Sequence, residues 1–230
     1  MNKILITGGV GFIGFNLVKK LCKKNQVTII DDLSRGKIDN EFKSLIIKNK
    51  INLLKVNLCK KINIKNNFDY IFHLAATVGV KNVTKNPIYT VQNNIQSLLN
   101  LITFCKSKKN TKLIFFSTSE VYSPLIDKNL KNIFPLKENS ELFIKKICIP
   151  RDSYYLSKLF SEKIIEMSGL EYIIYRPHNI YGPRMGTSHV IPELINKIIK
   201  NKFNKIVKVY SPNHKRVFCY IDDCIFQVIS

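Results

Sequence analysis

The sequence predicts an α/β fold, a doubly wound parallel sheet followed by a smaller region, and three observations predict it. Short apolar runs of strand type alternate with helical stretches as far as Arg176, and the first run ends in a glycine-rich turn. Beyond Arg176 the pattern gives way to segments punctuated by Pro177, Gly182, Pro183, Gly186 and Pro192. Parallel strands need a crossover, usually a helix, and helices on both faces leave the strands apolar throughout.

The first strand is Lys3-Ile4-Leu5-Ile6, followed by the turn and an amphipathic stretch with Phe12, Phe15, Leu17, Val18 and Leu21 apolar. Lys19, Lys20, Lys23 and Lys24 close that stretch, where cations suit the helix dipole. Val27 to Ile30 is a second buried-type strand, and Leu53 to Val56, Tyr70 to Leu74, Leu113 to Ser117 and Tyr172 to Arg176 are further strands. Tyr89 to Cys105, Tyr154 to Ser168 and Pro192 to Lys200 read as helices, and Ser123 to Pro150 as a long irregular loop. We expect a first domain over residues 1–176 and a second region over 177–230.

Composition narrows the class. Of 230 residues 45% are hydrophobic, with 14 Phe and 10 Tyr, enough apolar surface to exclude wholesale disorder. The 37 basic residues against 16 acidic ones give a net charge of +21, which raises the question of an anionic polymer as partner. Only five of the 37 are Arg, and the 32 Lys stand beside 34 Ile and 24 Asn, the bias of an AT-rich coding sequence. The Lys are dispersed and not interleaved with aromatics, so nucleic acid is disfavoured. No apolar run reaches the roughly 18 residues of a membrane span, and the glycines from Gly8 to Gly14 break any signal-peptide core. A cytoplasmic protein without membrane insertion is expected, and six scattered cysteines read as buried free thiols.

The chemistry lies in two constellations. Gly8, Gly11 and Gly14 form GxxGxxG between a strand and a helix, where glycine lets the backbone approach a pyrophosphate and the helix N-terminus meets its charge. Asp31 ends the second strand, 23 positions after Gly8, where a carboxylate can accept from an adenosine ribose. An acid there disfavours a 2′-phosphate, so NAD is expected over NADP, a preference that Arg35 moderates. In Tyr154-Tyr155-Leu156-Ser157-Lys158 the i, i+4 spacing sets Tyr154 and Lys158 on one helix face, and an ammonium near a phenol eases its deprotonation. Ser117-Thr118-Ser119-Glu120-Val121-Tyr122 follows a strand, at the edge where α/β sheets bind ligands.

These motifs, with His73-Leu74-Ala75-Ala76, Asn94, Arg176 to Arg184 and Phe218 to Asp223, resemble in order the NAD-dependent epimerase/dehydratase family, extended short-chain dehydrogenase/reductases acting on nucleotide sugars. The resemblance runs the whole chain and implies a Rossmann domain that binds NAD and a substrate-binding subdomain. It implies that Tyr154 is a general base, that Lys158 lowers its pKa and holds the nicotinamide ribose, and that Thr118 binds the reacting oxygen. Gly8, Gly11, Phe12, Ile13, Gly14, Asp31, Asn57, Leu58, Leu74, Ala75, Ala76, Asn94 and Lys158 would line the cofactor. Asn179, Val190 and Arg216, with Thr118, would contact a nucleotide-diphosphate sugar. A homodimer through the helices near Tyr89 to Cys105 and Tyr154 to Ser168 is also implied.

The expected activity is epimerisation through a transient keto-sugar. Three departures keep other readings open. Asn57 stands where the family often has an Asp that contacts adenine. Ser119 replaces the acid of glucose-type 4,6-dehydratases, and Ser cannot protonate a leaving hydroxyl at neutral pH; the Thr-Ser-Glu order resembles decarboxylases and GDP-mannose-type dehydratases, which makes Glu120 a candidate catalytic group. The chain is also shorter than family members of more than about 300 residues, so the C-terminal region reads as truncated. A decarboxylase or dehydratase, a non-catalytic NAD sensor and an inactive fragment are the alternatives. Scarce Arg is expected where a planar, bidentate fork is needed, and Arg184 and Arg216 are expected to touch substrate phosphate.

Overall fold

A computed structural model describes residues 1–108, 110–127, 134–201, 206–209, 213 and 215–230. It divides into two compact units, Met1–Pro177 and His178–Ser230.

The first unit runs β1 (Lys3–Thr7), α1 (Phe12–Leu21), β2 (Gln26–Asp31), α2 (Asn40–Asn49), β3 (Asn52–Lys55), β4 (Tyr70–His73), α3 (Val80–Lys85) and α4 (Pro87–Lys106). It continues with β5 (Lys112–Phe116), a 3-10 turn Ser119–Tyr122, α5 (Ser123–Asp127), a second 3-10 turn Pro150–Asp152, α6 (Ser153–Glu166) and β6 (Glu171–Tyr175). The strands form one six-stranded parallel sheet in the order β3-β2-β1-β4-β5-β6. This is a Rossmann-like α/β sheet, and the order reverses between β1 and β4, opening the crevice where such sheets take ligands.

Alternation within the strands divides the core. Leu5, Ile30, Ile71, Leu113 and Phe115 pack with Leu98, Leu101, Ile102 and Cys105 of α4 and Ile165 of α6. Around α1 the core is aromatic, Phe15 meeting Phe42 of α2 edge-on at 5.3 Å. Leu98, Leu101 and Ile165 are core, and Ile164 packs against it partly buried.

The strands and long helices fall within a few residues of their expected bounds. Helix α2 carries no clear sequence signal, because its apolar residues Phe42, Leu45, Ile46 and Ile47 form no clean stripe and only Phe42 is buried. Its start is nevertheless fixed by Asp39, which accepts from Phe42 N at 2.9 Å. The loop expected over Ser123 to Pro150 begins with α5, and its residues 128–133 lie outside the described residues. The cysteines are free, but Cys148 is exposed, contrary to the expectation of buried thiols.

The second unit contains β7 (Asn179–Tyr181), α7 (Val190–Lys200), β8 (Phe218–Tyr220) and α8 (Ile221–Ile229), with β7 and β8 parallel and Asn179 opposite Phe218.

The sheet-facing side of α6 is polar. Ser157, Lys158, Ser161 and Glu162 are all buried there. Glu162, fully buried, accepts from Arg176 through both oxygens, Nε to Oε1 at 3.0 Å and Nη2 to Oε2 at 2.8 Å. Removing one partner strands a buried charge. Arg176→Met is therefore expected to cost about 3 kcal/mol or more in urea unfolding, and Arg176→Met with Glu162→Leu to recover most of it.

Candidate active site

The glycine turn joins β1 to α1 at the reversal of strand order. Gly8 has φ 72°, and a Cβ there would lie 2.7 Å from Ala75 N, so the turns after β1 and β4 touch backbone to backbone. A Cβ on Gly14 would run into Gly8 O, which lets α1 start directly over the turn. Gly11 is the N-cap; it offers no side-chain cap, and the first turn of α1 carries no acid. The amides of that turn, from Phe12 through Gly14, lack intrahelical partners by geometry and present the positive end of the helix dipole. This cradle is one that a pyrophosphate fits.

Asp31 closes the cradle on the β2 side. Its carboxylate accepts from Val10 N at 3.0 Å and from Leu33 N at 2.9 Å, with burial the main influence raising its pKa. Each oxygen keeps acceptor capacity for a ribose hydroxyl. Arg35 donates from Nη1 to Val78 O at 3.0 Å and so bridges the loops after β2 and β4. Asn57 turns inward on its own loop, accepting from Cys59 N at 2.8 Å, and Leu58 is buried in the core. Leu74, Ala75 and Ala76 leave β4 half-buried at the sheet edge. Asn94 is 4% exposed and its amide is already engaged, accepting from Thr77 N at 2.7 Å and donating to Ser157 Oγ at 3.0 Å. It ties the loop after β4 to α6.

At the carboxyl edge of β5 the structure brings Thr118, Glu120 and Tyr154 together. The Thr118 side chain lies close enough to the Tyr154 phenol to favour its phenolate, and Thr118 Oγ1 accepts from Glu120 N at 3.2 Å. Burial first, then the Glu120 carboxylate, push the Tyr154 phenol above its ordinary value, while the Thr118 side chain, Arg151 and Arg35 pull it back. Lys158 sits one turn along but faces elsewhere: its Nζ donates to Phe116 O at 2.6 Å and lies 4.7 Å from the Phe115 ring centroid. Burial lowers its pKa to about 7, partly offset by Glu162. Burial likewise holds His73 neutral, at about 3, with Lys158 adding to the effect. His73 Nδ1 meets Thr7 Oγ1 at 2.8 Å.

Two residues of this edge carried no assigned role in the sequence. Arg151 Nη2 donates to Glu120 Oε1 at 2.7 Å. Ser117 Oγ is the one buried side-chain polar atom without a partner among the described residues, between the carbonyl that takes Lys158 and the Thr118 hydroxyl beside Tyr154. An orphan at this edge fits a site that a polar ligand completes. Its place at a strand end was the available sequence signal; for Arg151 the signal was only its position three residues before Tyr154.

The other expected residues belong to the second unit. Asn179 Nδ2 donates to Val217 O at 3.0 Å, which sets it beside Arg216, whose side chain is exposed. Arg184 has φ 70°, and Val190 is exposed at the start of α7. Among the described residues there is no cluster able to hold a metal, and no helix is long and apolar enough to cross a membrane.

The buried Lys158 gives a pH signature. Its pKa in the folded protein is about 7 against an ordinary 10.5, so between those values the unfolded chain holds a proton that the folded one does not. Lys158 should therefore make stability rise with pH from about 7 towards 9, above which the buried thiols of Cys105 and Cys224, whose pKa values burial raises, act in the opposite direction. Urea unfolding between neutral and alkaline pH should show this rise, and Lys158→Met should flatten it.

Three comparisons place the chain among known proteins. The model of the NAD dependent epimerase/dehydratase family matches residues 4–229. A dTDP-D-glucose 4,6-dehydratase of Dictyostelium discoideum is 36% identical across 100% of this chain and 55% of its own length. A UDP-N-acetyl-alpha-D-glucosaminuronate decarboxylase of Bacillus cytotoxicus is 30% identical over 99% of the chain and 70% of its own. The chain thus spans between about half and 70% of these two relatives. The solved UDP-N-acetylglucosamine 4-epimerase of Methanobrevibacter ruminantium M1, in complex with UDP-N-acetylmuramic acid, is 31% identical with a TM-score of 0.80, covering 99% of this chain and 72% of that one. With a family match from the first strand to the last helix, on a sheet of the same fold, the chain belongs to the NAD-dependent epimerase/dehydratase family.

Proposed function

We propose that the chain is the NAD-binding and catalytic part of a nucleotide-sugar epimerase. The observation that carries this reading is the convergence of Thr118, Glu120 and Tyr154 at the carboxyl edge of β5, in the same unit as the glycine cradle. Residues 1–176 would hold NAD and residues 177–230 would form part of the substrate site.

NAD, when bound, supplies the acceptor for the sugar's hydride. Gly8, Gly11 and Gly14 with the amides of Phe12 and Ile13 would take its pyrophosphate, Asp31 its adenosine ribose, and Lys158 its nicotinamide ribose. Thr118 would hold the sugar hydroxyl and Tyr154 would accept its proton as the carbon–hydrogen bond gives up hydride, leaving a ketone. Tyr154 would hand the proton back as the centre is reduced from its opposite face, completing the inversion. Asn179, Arg184 and Arg216 would meet the diphosphate, and Val190 the base. A sensor has no use for Thr118 and a buried phenol brought together at this edge, which favours an enzyme.

A decarboxylase is the second reading, favoured by the Glu120 carboxylate beside Tyr154 and by Ser119. The same Ser119 disfavours a glucose-type dehydratase, whose leaving hydroxyl needs an acid. Pairing through α4 and α6 would give a homodimer.

Incubation with UDP-, GDP-, dTDP- and CDP-sugars, products read by mass and NMR, tests these readings. Unchanged mass with inverted stereochemistry supports the epimerase, loss of carbon dioxide the decarboxylase, and no conversion with NAD retained refutes both. Tyr154→Phe is expected to lower turnover at least about 100-fold with NAD still bound. Gly14→Ala, which closes the cradle, is expected to abolish NAD binding in calorimetry.

A further inference from the structure

Tyr154 has a carboxylate for a neighbour, an awkward arrangement for a base that must shed its own proton before it can act. Glu120 raises the cost of a phenolate, and Lys158 is turned away to Phe116 O. Three features show how that cost is met. Arg151 Nη2 lies 2.7 Å from Glu120 Oε1, a charge-assisted bond between partly exposed side chains. The same guanidinium lies over the Tyr154 ring, Cζ 5.7 Å from its centroid. Its backbone is held on both sides, because Asp152 Oδ2 accepts from Ile149 N at 2.9 Å and Asp152 also pairs with Lys145 at 3.3 Å. The turn Pro150–Asp152 runs directly into α6, so Arg151 and Tyr154 move as one piece.

We propose that Arg151 is a positioning residue for Tyr154: it holds the Glu120 carboxylate in an ion pair beside the phenol and cancels the field that this carboxylate would place on it. The proposal rests on the reading of Tyr154 as the base. Of the other charged groups, Arg35 bears on the phenol from the loop after β2. Helix α3, packed on the turn Pro150–Asp152, carries Lys81 and Lys85, both exposed. Arg151 alone touches both the carboxylate and the ring among the described residues. It acts through Glu120 and Tyr154 and makes no bond to the reacting atoms.

The test is a charge cycle read on the phenol itself. Difluorotyrosine, more acidic than tyrosine, is incorporated at position 154, and its fluorine resonance is followed against pH in the NAD-saturated protein. Arg151→Met should raise the midpoint by about 1 unit, and Glu120→Gln should lower it by a similar amount. The double variant should return close to the parent, and Arg151→Lys, which keeps the charge, should stay near it. An Arg151→Met midpoint equal to the parent's, with only a lower melting temperature, overturns the proposal and leaves Arg151 a structural residue. Turnover by Tyr154→Phe at the parent's rate would instead remove the reading of Tyr154 as the base. The two failures are separable, because the titration needs no turnover.

Discussion

The arrangement of the site depends on the Arg176–Glu162 pair. Glu162 is fully buried on α6, and Arg176 follows β6, so the pair fixes the helix that carries Tyr154 against the end of the last strand. The remaining donors of Arg176 extend the tie, Nη1 bonding Tyr122 OH at 2.6 Å and Glu138 O at 2.7 Å. Four segments thereby meet at one guanidinium: α6, the end of β6, the turn after β5 and the loop at 138. A hydrophobic face could slide by a fraction of a turn at little cost. A buried carboxylate cannot, because each of its oxygens must keep a donor.

The rest of the α6 seam follows the same rule. Ser157 Oγ accepts from Asn94 and donates to Tyr154 O at 2.7 Å, Ser161 Oγ donates to Ser157 O at 2.7 Å, and Lys158 Nζ reaches Phe116 O. The bonds from Asn94 and to Phe116 constrain the rotation and height of α6 relative to α4 and β5, while the two serine-to-carbonyl bonds stay within the helix and satisfy its buried hydroxyls. A side chain at the start of this helix therefore arrives at the edge of β5 with little freedom, and Tyr154 is such a side chain. The seam gives up apolar burial that Leu or Ile would have supplied, in exchange for a defined register.

The cradle was legible in the sequence because its determinants are local. Gly8, Gly14 and Asp31 act through backbone conformation and strand-end position, and both can be read from a glycine pattern flanked by apolar runs. The i, i+4 spacing of Tyr154 and Lys158 was legible for the same reason, but their electrostatics were not. Spacing puts both residues on one helix face, yet Lys158 finds a carbonyl of β5 and its charge turns to Phe116, while the cations acting on the phenol are Arg151 and Arg35. Asn94 shows a similar gap. Its motif position suggested a cofactor contact, and its amide is spent on Thr77 and Ser157. Pairs joined across 14 or 31 residues, such as Glu162 with Arg176 and Glu120 with Arg151, leave no periodic trace.

The scarcity of Arg amid a +21 charge takes on a more definite meaning in this light. A preference for Lys is tolerable wherever a cation merely faces water, since an ammonium and a guanidinium then differ little. It fails where several acceptors in different directions must be met from one side chain. Arg176 meets four acceptor atoms, Arg151 meets a carboxylate while covering a ring, and Arg35 spans two loops to reach Val78 O. A Lys offers three donors from a single point and cannot serve two carboxylate oxygens, a phenol and a carbonyl in one plane. The expectation tied the retained guanidinium groups to substrate phosphate. In the first unit the same argument applies to the protein's own carboxylates and carbonyls, so three of the five arginines are explained by the assembly of the site itself.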